Sequence, residues 1–207
     1  MEQVSPTRTE LLAKRSQIRL AEQGATLLRG KREALVREFL EEIKTFRTDR
    51  EEMLKALTEA AQSLMQTLAL DGRESVRSVG LATRNTAEVE LKEQNIWGTK
   101  VVDVESEYSV RMPEARGYSP VTVSSRVNDS VDRFEIAVEG IIRVAPRFHK
   151  LWRLADEIRK TSRRVNALEQ RLLPSLHGQV SYIKTVLDQR EREDIFRLKR
   201  IKRKKNR

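Results

Sequence analysis

The chain has 207 residues, 38% hydrophobic and 35% charged, against about 45–50% apolar and about 25% charged in a compact globule, which favours one elongated hairpin with a small head at its bend over a sphere. The absence of cysteine excludes disulfides, iron–sulfur clusters and thiolate zinc sites, and no apolar run approaches the length of a signal-peptide core or a spanning helix, so the chain reads as soluble. A formal charge of +10, from 41 Lys and Arg against 31 Asp and Glu, asks for an acidic partner and leaves nucleic acid, anionic lipid and acidic protein surfaces open.

The first predicted element begins at Ser5-Pro6-Thr7, where Thr7 stands three residues before Glu10, the spacing of a capping box. Apolar residues then recur at Leu11, Ile18, Ala21, Ala25, Leu28, Leu35, Phe39, Ile43, Phe46, Met53, Leu57, Ala61, Leu64 and Leu68, a period close to 3.5. A helix of ~60 residues at 1.5 Å each is a rod on the order of 90 Å long. Within it, the stretch from Gly24 to Arg32 is the nearest thing to a phosphate loop, but five residues separate Gly24 from Gly30 and Arg32 stands where Ser or Thr would ligate magnesium. Two small residues on a helix are the simpler reading.

The period lapses between about Asp71 and Ser125, where Gly72, Gly80, Gly98, Pro113, Gly117 and Pro120 fall. Residues 86–94 and 96–108 are rich in Val, Ile, Thr and Trp and alternate in polarity, predicting a β-hairpin with its turn near Gln94-Asn95 or Trp97-Gly98. The segment from Met112 to Ser124 reads as a loop. From Asn128 or Asp129 the helical period returns through Val131, Phe134, Val138, Ile141, Ala145, Phe148, Trp152, Ala155, Ile158, Val165, Leu168, Leu172, Leu176, Val180, Ile183, Leu187 and Ile201. Pro146 and Pro174 cannot donate to the carbonyls of Ile142 and Gln170, and each is expected to kink or locally unwind this second rod. The fold class is therefore mainly α: a long antiparallel two-helix coiled coil of N- and C-terminal helices with a small central head containing a β-hairpin, divided at residues 1–70, 71–127 and 128–207.

Nothing in this pattern looks catalytic. His149 and His177 are the only histidines and stand 28 residues apart, which excludes a paired-histidine metal motif. Glu33, Glu38, Glu41, Glu42, Glu51 and Glu52 lie at helix spacing with Lys and Arg and read as solvated i,i+3 and i,i+4 pairs, not an acid–base dyad. No metal, cofactor or nucleophile is expected. The strongest charge signal is the end of the second helix, where ten Lys and Arg face three acids between Arg190 and Arg207. It reads as a frayed basic tail kept for solubility, as a basic tip for a partner's acidic or carbonyl-lined socket, or as a nucleic-acid contact. Aromatics are only 5% of the chain, which weakens a single-strand binder more than a duplex-phosphate binder. A structural tether would need a spare apolar stripe, whereas each helix is read as having one main seam, used by its partner.

Two blocks carry a resemblance. Pro6-Thr7-Arg8, Leu11-Leu12, Lys14-Arg15, Leu20-Ala21, Gly24, Leu27-Leu28 and Lys31–Leu35, and more specifically Thr161, Arg163–Glu169, Pro174, Tyr182-Ile183 and Glu191–Lys202, resemble the family of D subunits of V-type and archaeal-type rotary ATPases. Leu173, where Ile is usual, and Gly30 depart from the pattern. The resemblance covers both helices; in the head it rests on length and the hairpin reading, not on motifs. It implies a non-catalytic axle inside a ring of catalytic A and B subunits, with a small central-stalk F subunit and a connector toward the membrane rotor, the C subunit (the d subunit in eukaryotes). It also implies a cytoplasmic, membrane-peripheral place without insertion, and proton or sodium transport coupled to ATP synthesis or hydrolysis. Arg163, Arg164, Asn166 and Glu169 are then expected in structural or partner contacts, and Arg197, Lys199, Arg200 and Lys202 in contacts with the ring. The termini, with their basic tail, are the expected end to enter it.

Overall fold

A computed structural model describes residues 5–83, 89–106 and 116–205. In chain order it contains α1 (Arg8–Leu70), α2 (Arg73–Ala82), strands β1 (Val89–Ile96) and β2 (Thr99–Ser106), α3 (Ser125–Ala167), a π-helical turn (Leu168–Leu172) and α4 (Leu173–Lys205). The long N-terminal helix, the long C-terminal helical run and the central hairpin are those the periodicity predicts. The chain packs as two compact units, one formed by residues up to Ala34 with those from Ile158 onward, the other by Leu35–Glu157.

In the first unit, α1 starts as its sequence dictates: the Thr7 hydroxyl accepts the Glu10 N–H at 3.2 Å, satisfying one of the orphan donors of the first turn. Ile18 packs against Leu176 and Val180, with Leu11 and Leu173 beside them. Ala21, Ala25, Val165 and Ile183 are also buried. Arg8 pairs with Glu191 at 2.5 Å and Arg29 with Glu169 at 2.6 Å, so partners descend from α4 into the π turn as α1 ascends: the pairing is antiparallel. Pro174 has its effect one turn upstream. Lacking an N–H, it leaves the Gln170 carbonyl without its usual donor, and the chain takes up one extra residue in a π turn, in which the Leu173 N–H bonds to the Leu168 carbonyl.

In the second unit, α1 and α3 are again antiparallel. Their contact is closer and more polar than the count of large apolar residues implies. Gly140 is buried, and a Cβ placed on it would lie 3.3 Å from the Cβ of Met53. Ser130 Oγ lies 2.8 Å from Ser63 Oγ and 2.7 Å from Thr67 Oγ1, all three residues buried. Leu57 and Leu68, expected in the seam, are exposed, and Ala60, Ser63 and Thr67 take their place. On α3 the buried line runs through Val127, Ala137, Val144, Leu151 and Leu154. The expected Val138, Ile141, Phe148 and Trp152 face outward. The reason is steric: helices that approach this closely admit small residues between them and turn the large ones aside. Pro146 lies inside α3 without interrupting it.

The bend is held by charge. Arg126 donates from Nε and Nη2 to the two Asp71 oxygens at 3.0 and 2.9 Å, and this fork holds the Asp71 carboxyl below its ordinary range. Buried Arg116 bonds to Asp132 and to buried Glu135. Next to it Gly117 adopts φ 81°, and a Cβ there would lie 2.7 Å from the Ala82 carbonyl oxygen, so only glycine fits. The amphipathic α2, absent from the sequence-based expectations, caps this region through Val79. The hairpin turns at Trp97-Gly98, with φ 51° and 79°, the positive pair of a type I′ turn. Ile96 pairs with Thr99 and Val89 with Ser106. The predicted strand residues 86–88, 107 and 108 lie outside the described residues, as do the first four residues of the predicted Met112–Ser124 loop. The second long helix starts at Ser125, three residues before Asn128.

Candidate functional site

The surfaces that could meet a partner are built on helices. Arg163, Arg164 and Asn166 lie in the last turns of α3, with Arg163 and Arg164 toward solvent and Asn166 beside them. Glu169 sits in the π turn, half-buried, and its Oε1 is held by Arg29, which makes it a brace between helices. Arg197, Lys199, Arg200 and Lys202 are all exposed on the last turns of α4. The two sets stand about 30 residues apart along one helical run, on the order of 45 Å at 1.5 Å per residue, so they form two surfaces and not one site.

The tail gains its character from what α1 does not cover. Arg8 meets Glu191, and Arg190 Nη1 donates to the Pro6 carbonyl at 3.3 Å. Among the described residues α1 starts at Arg8 while α4 continues to Lys205. Every side chain described from Asp188 to Arg203 is exposed, including Ile195, Phe196, Leu198 and Ile201. Four large apolar residues thus stand among cations on one helix.

Sequence reasoning missed a cross-helix ionic cluster in the second unit. Lys150 Nζ lies 3.1 Å from Glu38 and 2.5 Å from Glu42. Arg147 reaches Glu42 at 3.2 Å and Asp49 at 2.8 Å. Burial disfavours the Lys150 ammonium, but hydrogen bonds to Glu42 and Glu38 and their charges outweigh it and hold its pKa above the ordinary lysine value. Glu38 and Glu42 are therefore not the intrahelical surface pairs their spacing suggests. A signal was present: carboxylates four apart on one helix match cations three apart on the other once the two run antiparallel. Beside this cluster the hairpin rests on α3, with Arg153 Nε donating to the Lys100 carbonyl at 3.2 Å and Val101 buried.

A second apolar line runs along α3. Val138, Ile141, Ala145, Phe148 and Trp152 recur every three or four residues, and Phe148 and Trp152 are 59% and 58% exposed. This corrects the expectation of one seam per helix. The stretch from Gly24 to Arg32 is continuous helix, not a loop before a helix N-terminus. Among the described residues no three His, Cys, Asp or Glu gather as metal ligands, and no helix is long and apolar enough to cross a membrane.

Comparison with known proteins places these helices. Residues 10–203 match the family model for the D subunit of ATP synthase. The D subunit of the V-type ATP synthase of Thermus thermophilus is 41% identical over 202 residues, covering 98% of this chain and 89% of that protein. Its counterpart from Deinococcus radiodurans is 38% identical, covering 97% and 88%. The D subunit of the A-type ATP synthase of Pyrococcus furiosus is 37% identical, covering 96% and 93%. With a family model spanning nearly its whole length and relatives this similar, the chain belongs to the family of ATP synthase D subunits.

Proposed function

We propose that this chain is the central rotor shaft of a V-type or archaeal-type rotary ATPase. It is a non-catalytic axle coupling ATP synthesis or hydrolysis in a surrounding ring of A and B subunits to proton or sodium transport, within the soluble, cytoplasmic sector. The observation that carries this reading is the end of α4, a single helix running on past the start of α1 with Ile195, Phe196, Leu198 and Ile201 bare among Arg197, Lys199, Arg200 and Lys202. Left in water, such a helix has no core to stabilise it. Inside a sleeve of apolar and acidic or carbonyl groups, its apolar side chains are covered and its cations are paired.

An axle must also resist slip between its strands. The buried Ser63–Thr67–Ser130 hydroxyls and the Glu38–Glu42–Asp49 cluster with Arg147 and Lys150 match only in one register, because sliding by a residue would strand buried polar groups without partners. We assign the α3 line from Val138 to Trp152 to the small F subunit of the stalk. Arg163, Arg164 and Asn166, exposed at the end of α3, are assigned to structural or partner contacts, and Arg197, Lys199, Arg200 and Lys202 to the ring. The rival reading, a basic nucleic-acid-binding or tethering coiled coil, gains nothing from these relatives, each named as part of an ATP synthase.

Replacing Arg197, Lys199, Arg200 and Lys202 together by Glu tests the tail. The expected result is at least about a hundredfold weaker ring binding and loss of ATP-driven rotation in the reconstituted complex. Intact assembly and rotation would remove the tail from the mechanism.

A further inference from the structure

We infer that the β-hairpin is a strap with two positions: the open one of this structure, and a closed one in which Asp103 of β2 pairs with Arg143 of α3 and the cleft between them shuts. This goes beyond the shaft reading and does not depend on it. The hairpin is fastened to α3 at its turn end. Thr99 is 5% and Val101 1% exposed, and Arg153 Nε donates to the Lys100 carbonyl at 3.2 Å. Toward the base that contact ends. Asp103, two residues beyond Val101 and so on the same face of β2, is exposed, as is every residue of β1 from Val89 to Asn95.

A cleft of about 280 Å³ opens there, with Asp103 on one wall and Arg143, Arg147 and Lys150 on the other. Two of these cations are taken: Arg147 by Glu42 and Asp49, and Lys150 by Glu38 and Glu42. Arg143, one turn before Arg147, is exposed, and among the described residues no carboxylate pairs with it. Nor does a described cation pair with Asp103, whose oxygens accept from Gln94 Nε2 at 3.4 Å and from the Val104 N–H at 2.9 Å. One cation and one anion without ionic partners thus face each other across the cleft.

The register brings them within reach. Lys100 sits at Arg153 while Val104 borders the cleft with Arg143, so β2 runs back along α3. From Arg153 to Arg143 the helix covers about 15 Å, and from Lys100 to Asp103 the strand covers about 10 Å. The remaining offset of about 5 Å is one that an arginine side chain spans. Opposite charges so placed attract, and at an exposed rim the attraction is screened by salt. The competing charges are Lys92, across the strand pair from Asp103, and Glu139, one turn before Arg143. Closing turns the hairpin about Val101 and carries with it Leu91, which is 68% exposed. A protein seated on Leu91 binds one position better than the other and shifts the balance between them.

The chain has no cysteine, so nitroxide labels on Leu91→Cys and Ile136→Cys of the full-length protein report the distance from the hairpin to α3 by pulsed double electron resonance. At low salt the expected result is two distances, the shorter belonging to the closed strap. High salt is expected to lower the shorter population about two- to fivefold, and Arg143→Asp to do the same at low salt. Asp103→Arg combined with Arg143→Asp is expected to restore it, while Lys92→Gln and Glu139→Gln keep it. Should Arg143→Asp misfold, Arg143→Gln carries the same expectation without adding a charge. A single distance at every salt concentration overturns the strap. So does a shorter population that survives the loss of Arg143, that the charge exchange fails to restore, or that disappears in Lys92→Gln or Glu139→Gln.

Discussion

The seam of the unit containing both chain ends differs in kind from the seam of the unit containing the hairpin. In the first, Ile18, Leu176, Val180 and Ile183 supply aliphatic contact, and the ion pairs Arg8–Glu191 and Arg29–Glu169 lie toward the surface. In the second, the helices touch through Gly140 and Met53, buried hydroxyls and a five-membered ionic cluster. Aliphatic burial gives adhesion that tolerates small shifts, whereas matched polar groups give register at some cost in stability. The terminal unit is built to hold together and the hairpin-bearing unit to hold its alignment.

The largest expected effect lies in the aliphatic seam. Ile183→Ala should cost about 2–5 kcal/mol, read as a lower urea midpoint with unchanged slope. In the aligned seam, Gly140→Leu should cost about 1–3 kcal/mol by overpacking against Met53; a loss under about 0.5 kcal/mol would show that the close approach is not real. Ser130→Ala removes the hydroxyl shared by Ser63 and Thr67, for an expected loss of about 1–2 kcal/mol. Its sharper readout is register, through cysteine pairs placed across α1 and α3, which should begin to crosslink in shifted combinations.

The smallest effect separates the bend from both seams. Because Arg126 depresses the folded-state pKa of Asp71, the fork contributes fully above the ordinary carboxylate pKa. That contribution is lost as pH falls through the lowered value, below about pH 4. Asp71→Asn should be slightly less stable than the parent at neutral pH and converge with it in acid. A gap that persists at low pH would deny the linkage.

The architecture was legible because it rests on period and punctuation: a capping box at Thr7, a heptad pattern without breakers, a glycine-rich interval and strands joined at Trp97-Gly98. The face that each helix buries was less legible. Two apolar lines run along α3 a step apart, and a rule that favours large side chains selects Phe148 and Trp152, when the contact is made by Ala137, Gly140 and Val144. Packing distance between helices decides that, and it is a property of two sequences at once. The same limit hid the Glu38–Glu42–Lys150 cluster, since each residue is unremarkable until the antiparallel register is known. Pro174 announced a disturbance, but whether it would appear as a kink or as a π turn depended on the helix packed against it. Of the tail the sequence shows the charge, and the structure adds that its described side chains are exposed. That Glu169 is tied to Arg29 was not legible, because nothing in the spacing links residues so far apart.

That this chain is a shaft which enters a ring is tested most directly by native mass spectrometry of the intact chain with the purified A and B subunits of its own complex, with and without the small stalk partner. One copy per ring, with the small partner added one to one, is the predicted result. Free rings alongside free chain, together with salt-sensitive binding of the chain to duplex DNA, would contradict it.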